Sequence, residues 1–207
     1  MIKSAYWIFI LVHLGFISSA QIEREGNFPD TAAINTLTRK GELLMYEHPD
    51  SALMYFKKAI QLSDEPRTAN ENAKNHNLAG VAHYVMGEYD QALPLFTKAL
   101  RLFEKTKDHY GLSTCYNYIG LIYQTQHRYD KAIEYHKQGV MQGKLIHNKD
   151  RQSLNNFNIG LAYDETVRYD SALVFVKLAY QQSSEIGFQR VILMSKNRLG
   201  IDRKSVV

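Results

Sequence analysis

The sequence has little of the residues that cross-link small folds or interrupt helices. Cys115 is the one cysteine in 207 residues, so no internal disulfide can form. Four prolines and one tryptophan, against fourteen tyrosines, favour packed aromatic-rich helices over loops. We therefore expect a fold stabilised by packing. We interpret Cys115 as a small helix residue and not a nucleophile, because no histidine and acid arrangement lies near it in the sequence.

The chain also lacks a strong charge of one sign. Its formal net charge is +4, and its lysines and arginines form no run. A protein that binds nucleic acid concentrates basic residues on one face to neutralise phosphates. The charge pattern therefore argues against nucleic acid as a partner.

Catalytic and metal-binding patterns are missing as well. The sequence contains no GxGxxG, GxSxG or HExxH motif. His76 and His83 share a helix face seven residues apart, but no third ligand accompanies them. We therefore expect no cofactor, no metal and no enzymatic activity in this chain.

The N-terminus has the anatomy of a secretory signal peptide over residues 1–20. Lys3 precedes an apolar stretch at 5–17, and Ser18, Ser19 and Ala20 form a small-residue cleavage site. The stretch is short for a membrane span, although an uncleaved anchor is the alternative. We expect an exported protein, on the periplasmic or extracytoplasmic side of the inner membrane, that meets the membrane only through this segment or a missing C-terminal one.

A forty-residue period runs through the rest of the chain, and a period of this length is typical of a repeat architecture. The recurring residues are small, acidic or aromatic, namely Ala52, Ala92, Ala132 and Ala172; Asp50, Asp90, Asp130 and Asp170; Gly80, Gly120 and Gly160; Tyr89, Tyr129 and Tyr169; and Tyr123 and Tyr163.

Apolar and small residues at three and four spacing predict two helices in each unit. We expect each aspartate to cap a second helix by accepting backbone N–H groups, and not to act in catalysis. Glycine and alanine allow helix axes to approach to about 8–10 Å. The tyrosine before each aspartate is expected to fill the wedge between neighbouring units.

This pattern of glycine, tyrosine three residues on, Tyr-Asp-x-Ala and a small residue seven later resembles the tetratricopeptide repeat. The resemblance covers about 33–201 and implies an all-α, right-handed solenoid of antiparallel helix pairs. Four repeats at about 33–72, 73–112, 113–152 and 153–192 would precede an incomplete fifth at 193–201, with a linker or helix start at 21–32. The usual unit has thirty-four residues, and forty resembles a longer variant found in bacterial exported and sensor proteins.

Two places depart from the pattern. In the first unit Lys40 occupies the glycine position and Pro49 the tyrosine position, and His136 stands where other units have Phe56, Phe96 and Val176. We therefore interpret the first unit as a partly capping repeat and expect weaker packing in the third.

The end of the chain restarts a first helix, RVILMSKNRLGI, whose partner does not follow. Val191, Ile192, Met194 and Leu199 should then have too little to pack against. The tail at 202–207, DRKSVV, breaks the pattern, and we interpret it as a non-native end of a truncated longer chain. A naturally short chain is the alternative.

By analogy with the family, the first helices line a concave groove that accepts a protein or an extended peptide. The candidate groove residues flank the glycine face: Lys74, Asn77, Val81 and Tyr84; Thr114, Asn117, Leu121 and Gln124; and Leu154, Phe157, Leu161 and Asp164. Asn77 and Asn117 recur at forty and can hold a peptide backbone by their amides. The alternative is that these residues are ordinary polar surface.

Two functions remain. The first is an exported, non-catalytic scaffold that binds a protein or peptide segment through the groove. The second is the N-terminal sensory region of a truncated bacterial signalling protein, a membrane histidine kinase or a helix-turn-helix regulator, which rests on analogy at the level of fold.

Overall fold

The computed structural model describes residues 31–200, which contain nine α-helices and no strand. The helices are α1 (Thr31–Leu44), α2 (Pro49–Leu62), α3 (Ala69–Val85), α4 (Tyr89–Thr106), α5 (His109–Thr125), α6 (Tyr129–Leu145), α7 (Lys149–Glu165), α8 (Tyr169–Ile186) and α9 (Gln189–Leu199), with a 3₁₀ turn at Pro66–Thr68 before α3. The predicted signal peptide, residues 21–30 of the predicted linker and the tail lie outside this range. No helix within 31–200 is long and apolar enough to cross a membrane.

Consecutive helices pack as pairs, and the pairs stack in chain order. The pairs are α1 with α2, α3 with α4, α5 with α6, and α7 with α8, and α9 packs on α8. Each first helix also contacts the first helix of the next unit, so α1, α3, α5, α7 and α9 lie side by side. The predicted all-α solenoid of four helix pairs and an incomplete fifth is confirmed.

The recurring glycines lie beneath a side chain of the second helix in each unit. A Cβ atom would come within 2.8 Å of Phe96 at Gly80, and within 2.6 Å of His136 at Gly120 and of Val176 at Gly160. The recurring alanines are buried in every unit. The two helices approach so closely that any larger residue at the glycines forces the facing side chain to move.

The first unit has this glycine too, although the sequence analysis placed Lys40 there. Gly41 lies beneath Phe56, and a Cβ atom at Gly41 would come within 2.4 Å of the ring. The turn between α1 and α2 spans residues 45–48, one residue longer than the turn at 86–88. However, α1 ends three residues after Gly41, whereas α3 ends five residues after Gly80. Gly41 therefore lies eleven positions before Ala52, where Gly80 lies twelve before Ala92, and this shift of one position relative to the forty-residue period made the assignment of Lys40 wrong.

The predicted capping role of the aspartates is also wrong. Asp50, Asp90, Asp130 and Asp170 are each the second residue of their helix, and the residues in the capping positions make no side-chain cap. Their charge lies in the first turn, where it interacts favourably with the helix dipole. Side-chain caps occur at first helices instead: Asp108 Oδ1 accepts from Gly111 N at 2.9 Å, and Asn148 Oδ1 from Arg151 N at 2.9 Å.

The first helices begin at residues 69, 109, 149 and 189, about four residues before the predicted unit boundaries. The glycines on which the prediction relied mark the middle of a helix and say little about its start. One residue in the left-handed region follows each helix from α3 to α8: Gly87, His127 and Val167 after first helices, and Lys107, His147 and Gly187 after second helices. These two sets also recur at forty.

The tyrosines before the aspartates differ in burial. Tyr89 and Tyr129 are half-buried, and Tyr89 packs against Tyr84 with ring centroids 5.6 Å apart. Tyr169 is 62% exposed, so it does not fill a wedge between units. In α9, Val191 is fully buried against Phe157 and neighbouring residues of α8, contrary to expectation, whereas Ile192, Met194 and Leu199 are half-buried.

Candidate functional site

A cleft of about 410 Å³ opens along the side of the stack that the first helices form. Its walls come from the C-terminal end of α1 and the turn that follows it, from α3, the last turn of α4, the N-terminal part of α5 and the first turn of α7. We name it the inner cleft. Its lining residues are Glu42, Met45, Tyr46, Asn70, Lys74, Asn77, Leu78, Val81, Phe103, Asp108, Tyr110, Gly111, Thr114, Tyr118 and Arg151. Four of them, Lys74, Asn77, Val81 and Thr114, belong to the predicted groove.

The inner cleft combines exposed aromatic rings with apolar walls. Tyr46, in the turn after α1, is 72% exposed, and Tyr110 on α5 is 48% exposed. Met45 and Val81 are buried and Leu78 is half-buried, so they present an apolar surface between the rings. Tyrosine is enriched where proteins bind one another, because its ring buries apolar area while its hydroxyl finds a polar partner.

Two cations line the inner cleft, and they differ in their partners. Lys74 Nζ forms an ion pair with Glu42 Oε1 at 3.0 Å. Arg151 stacks on the ring of Tyr110, with its Cζ 4.7 Å from the centroid, and Nη1 donates a long bond of 3.4 Å to Thr114 Oγ1. Among residues 31–200 no carboxylate lies within 4.0 Å of Arg151, and its buried Nε has no hydrogen-bond partner there.

The predicted asparagines are bonded between helices. Cys115 donates its thiol proton to Asn77 Oδ1 at 3.2 Å, and Asn158 Nδ2 donates to Asn117 Oδ1 at 2.7 Å. Both asparagines are buried, at 7% and 4% exposure. Their carbonyl oxygens therefore link α3 to α5 and α5 to α7. Asn77 borders the inner cleft and Asn117 does not.

The other predicted groove residues lie outside the inner cleft. Tyr84 packs edge-on against Tyr118 at 5.5 Å, and Gln124 Nε2 donates to the carbonyl oxygen of Asn158 at 3.0 Å. Asp164 forms an ion pair with Arg198 of α9. Of the apolar members, Phe157 is buried and Leu121, Leu154 and Leu161 are half-buried.

The remaining candidates for chemistry are buried or already have a partner. Burial raises the pKa of the Cys115 thiol far above its usual range, so the thiol stays protonated. Burial, with a smaller contribution from Lys98, lowers the pKa of His76 to about 4. His83 Nδ1 lies 2.6 Å from Glu88 Oε2. Within 31–200 no group of three histidine, cysteine, aspartate or glutamate side chains is arranged to hold a metal ion.

The sequence reasoning missed Tyr46, Asn70, Tyr110 and Arg151. It centred the groove on the glycines, whereas the inner cleft lies one to two turns nearer the N-terminal ends of the first helices. A signal was available, because a forty-residue unit needs longer helices than the usual unit. The first helices begin at 69, 109 and 149, and the turn that this adds carries Asn70, Tyr110 and Arg151.

The fold places the chain in a class of proteins, and a family model matches part of its sequence. The stacked helix pairs make this chain an all-α solenoid, a class whose exposed side is a typical binding surface for proteins. Residues 70–140 match the family model of the tetratricopeptide repeat. These residues are tetratricopeptide repeats, and the fold of the described chain is that of a tetratricopeptide-repeat solenoid. No curated protein is significantly similar to the sequence.

Solved structures share this fold at low sequence identity. The chain is similar to BtubC from P. vanneervenii, with a TM-score of 0.65 and 16% identity over 74% of this chain and 64% of that one. Aspartyl phosphate phosphatase F from Bacillus subtilis gives 0.76 and 16%, over 82% of this chain and 44% of that one. A MamA structure gives 0.57 and 22%, over 83% and 98%. The chain thus spans less than two thirds of the first two proteins.

Proposed function

We propose that this chain is a non-catalytic scaffold that binds a protein partner by holding an extended segment of it in the inner cleft. The observation that carries the proposal is the pair of exposed rings, Tyr46 and Tyr110, on either side of buried apolar side chains. A cleft of about 300–1,000 Å³ lined in this way is typical of a binding site. Its size suits a few side chains of a segment and not the surface of a whole domain.

The arrangement of the walls supports the same conclusion. The inner cleft draws on four successive units, and each first helix is bonded to the next by a buried amide. Thr38 Oγ1 donates to Asn75 Oδ1 at 2.9 Å, and the bonds at Asn77 and Asn117 continue the series. These bonds hold the walls in position before a ligand arrives, which lowers the entropic cost of binding.

We also propose that the protein is exported, on the pattern of residues 1–20 described above. N-terminal sequencing of the protein recovered from its native cells tests this. The expected first residue is Gln21, and a chain that retains Met1 in the cytoplasmic fraction would overturn the export proposal without touching the binding proposal. No feature of the described residues favours the alternative role as a sensory region.

Site-specific photo-crosslinking tests the binding function. A photoreactive phenylalanine analogue replaces Tyr46 or, as a control, Tyr169, which is exposed to a similar degree on α8 and lies outside the inner cleft. The expected result is a discrete crosslinked partner from position 46 and none from position 169. Mass spectrometry of the product should place the crosslink in one short segment of the partner.

A substitution completes the test. Tyr110→Ala should weaken capture at position 46 by about thirtyfold, because a buried aromatic anchor contributes about 2 kcal/mol to an interface. Equal crosslinking at positions 46 and 169, or capture that Tyr110→Ala leaves unchanged, would show that the inner cleft is not the binding site.

A further inference from the structure

The charge of Arg151 lacks a balancing acid in the described structure. Asn148 caps the start of α7 and fixes the backbone of Arg151, and the ring of Tyr110 lies beneath the guanidinium. The side chain is thus held in position by contacts that leave most of its donors unused. A guanidinium presents five N–H donors in a planar fork and matches a carboxylate, which can accept two of them at once.

The other charges of the inner cleft are already occupied. Glu42 pairs with Lys74, and Asp108 Oδ1 accepts from the backbone N–H of Gly111. Basic residues at other contacts between the units also have acidic partners. These pairs are Arg168 with Asp130, Lys149 with Glu185 and Arg198 with Asp164. Arg151 is therefore the cation of the inner cleft that is free to take an acid from a ligand.

The surroundings of Arg151 would strengthen such a bond. The residue is half-buried, and aromatic and apolar side chains line the cleft around it. The attraction between two opposite charges is stronger where water is partly excluded. The site then also discriminates against ligands that lack the acid. Tyr46 and Leu78 line the opposite wall and suit an apolar neighbour of that acid.

Resting on the proposed function, we propose that Arg151 is the specificity-determining residue of the inner cleft and pairs with an aspartate or glutamate side chain within the bound segment. The segment lies extended, with the acidic side chain on the guanidinium over Tyr110 and an apolar side chain towards Tyr46 and Leu78. The carboxylate belongs to a side chain inside the segment and not to the end of a chain.

The first stage of the test selects ligands. A library of random twelve-residue peptides, displayed with both ends joined to carrier sequence, is selected on the full chain and, in parallel, on the Tyr110→Ala variant. The expected result is a family of peptides that bind the wild-type chain but not the Tyr110→Ala variant. These peptides should share an aspartate or glutamate beside an apolar residue. If no peptide depends on Tyr110, both the proposed function and this inference fail.

The second stage separates the two proposals. For a selected peptide made with blocked ends, Arg151→Gln should weaken binding by about tenfold to thirtyfold, as expected for a partly buried charge-assisted bond. Changing the peptide acid to its amide should weaken binding equally, and the two changes together should add little. Arg128→Gln is the matched control, because Arg128 also lies over a tyrosine ring, Tyr123, but outside the inner cleft.

Each remaining outcome decides the inference. Selected peptides that depend on Tyr110 but carry no shared acid, or bind Arg151→Gln unchanged, overturn it and leave the binding function standing. A selected peptide that binds far more tightly with a free C-terminal carboxylate than with blocked ends overturns the choice of an internal side chain. Circular dichroism and the melting temperature of Arg151→Gln, compared with those of Arg128→Gln, show that a loss of binding is not a loss of fold.

Discussion

The second and third units have the same shape at their centres and different chemistry. In the second, the buried ring of Phe96 covers Gly80 and stacks on Tyr118 with centroids 5.4 Å apart. In the third, the ring of His136 takes the same place over Gly120, also fully buried. At this point the fold needs a side chain that packs on a glycine, and it accepts an imidazole where a polar partner is supplied.

That partner is Asn155 of the next first helix. Its Nδ2 donates to the carbonyl oxygen of Arg151 at 2.9 Å, which directs Oδ1 towards His136 Nδ1 at 3.2 Å. His136 therefore donates from Nδ1, and its buried Nε2 has no partner in the described structure. The continuous apolar core, which runs from Met45 to Ile122, gives way beyond this point to two smaller clusters.

The largest expected effect comes from removing the two rings in turn. Phe96→Ala should lower the free energy of unfolding by about 4 kcal/mol, because it removes a large apolar group and leaves a cavity. His136→Ala should cost only about 2 kcal/mol, mainly from the unpartnered amide of Asn155. Urea denaturation followed by circular dichroism measures both, and equal losses would show that the two centres are energetically the same.

The next effect is a dependence on pH. Burial lowers the pKa of His136 from 6.5 to about 4, with the bond to Asn155 opposing it. Between these values the unfolded chain binds more protons than the folded one, so stability falls as the pH is lowered from 6.5 towards 4. The loss by pH 4 is about 3 kcal/mol for this residue.

The variant His136→Phe should remove this part of the loss, since it restores the side chain of the second unit. The measurement is the urea midpoint of the wild type and the variant at several pH values between 4 and 8. His76→Phe is the companion variant, because the pKa of His76 is also lowered to about 4. This substitution should remove a similar and separate part of the stability loss at low pH. A difference between wild type and His136→Phe that stays constant with pH would contradict the assignment.

A smaller effect is expected at the turns after the first helices. Gly87 and Val167 occupy equivalent left-handed positions, with φ of 76° and 61°. A β-branched residue is strained there by about 1–2 kcal/mol, whereas glycine is not. Val167→Gly should therefore raise the stability by about 1 kcal/mol, and Gly87→Val should lower it by a similar amount, both read from thermal melts. Gly87→Asn, which tolerates this conformation, serves as the control.

The smallest effects separate the aspartates that cap from those that do not. Asp108→Ala removes the side-chain cap of α5 and should cost about 1 kcal/mol. Asp130→Asn removes only an exposed pair with Arg168 and a favourable position in the helix dipole, and should cost less than about 0.5 kcal/mol. Both are measured by urea denaturation at low salt, and a larger loss at Asp130 would restore the capping role that the sequence suggested.

The helix pairs were predictable because their signal is local. Gly80, Gly120 and Gly160 keep one interval, and apolar residues at three and four spacing mark the buried face of each helix. The same argument failed for Lys40, because Gly41 lies one residue nearer to Ala52 than Gly80 does to Ala92. It also failed for the helix caps, because the recurrence of an aspartate does not show whether its side chain accepts a hydrogen bond from the backbone N–H groups of the first turn.

The candidate site was predictable only in part. Lys74, Asn77, Val81 and Thr114, four of the predicted groove residues, border the inner cleft, but their partners could not be read from the sequence. Asn117 was predicted to bind a ligand, and its carbonyl oxygen instead accepts from Asn158, forty-one residues away. Nothing in the local sequence distinguishes an amide that faces a ligand from one that joins two helices.

The sequence by itself determined the period, the pairing of helices and the small residues at their contacts, because these depend on spacing within one unit. Only the tertiary structure decided which charges are paired and where the first helices open into a cleft. It also decided that the ring of His136 takes the place over Gly120 that Phe96 takes over Gly80. Those properties depend on side chains that meet across neighbouring units. Their contacts are set by the stacking of helices, and the repeat leaves the chemistry at each contact free to differ.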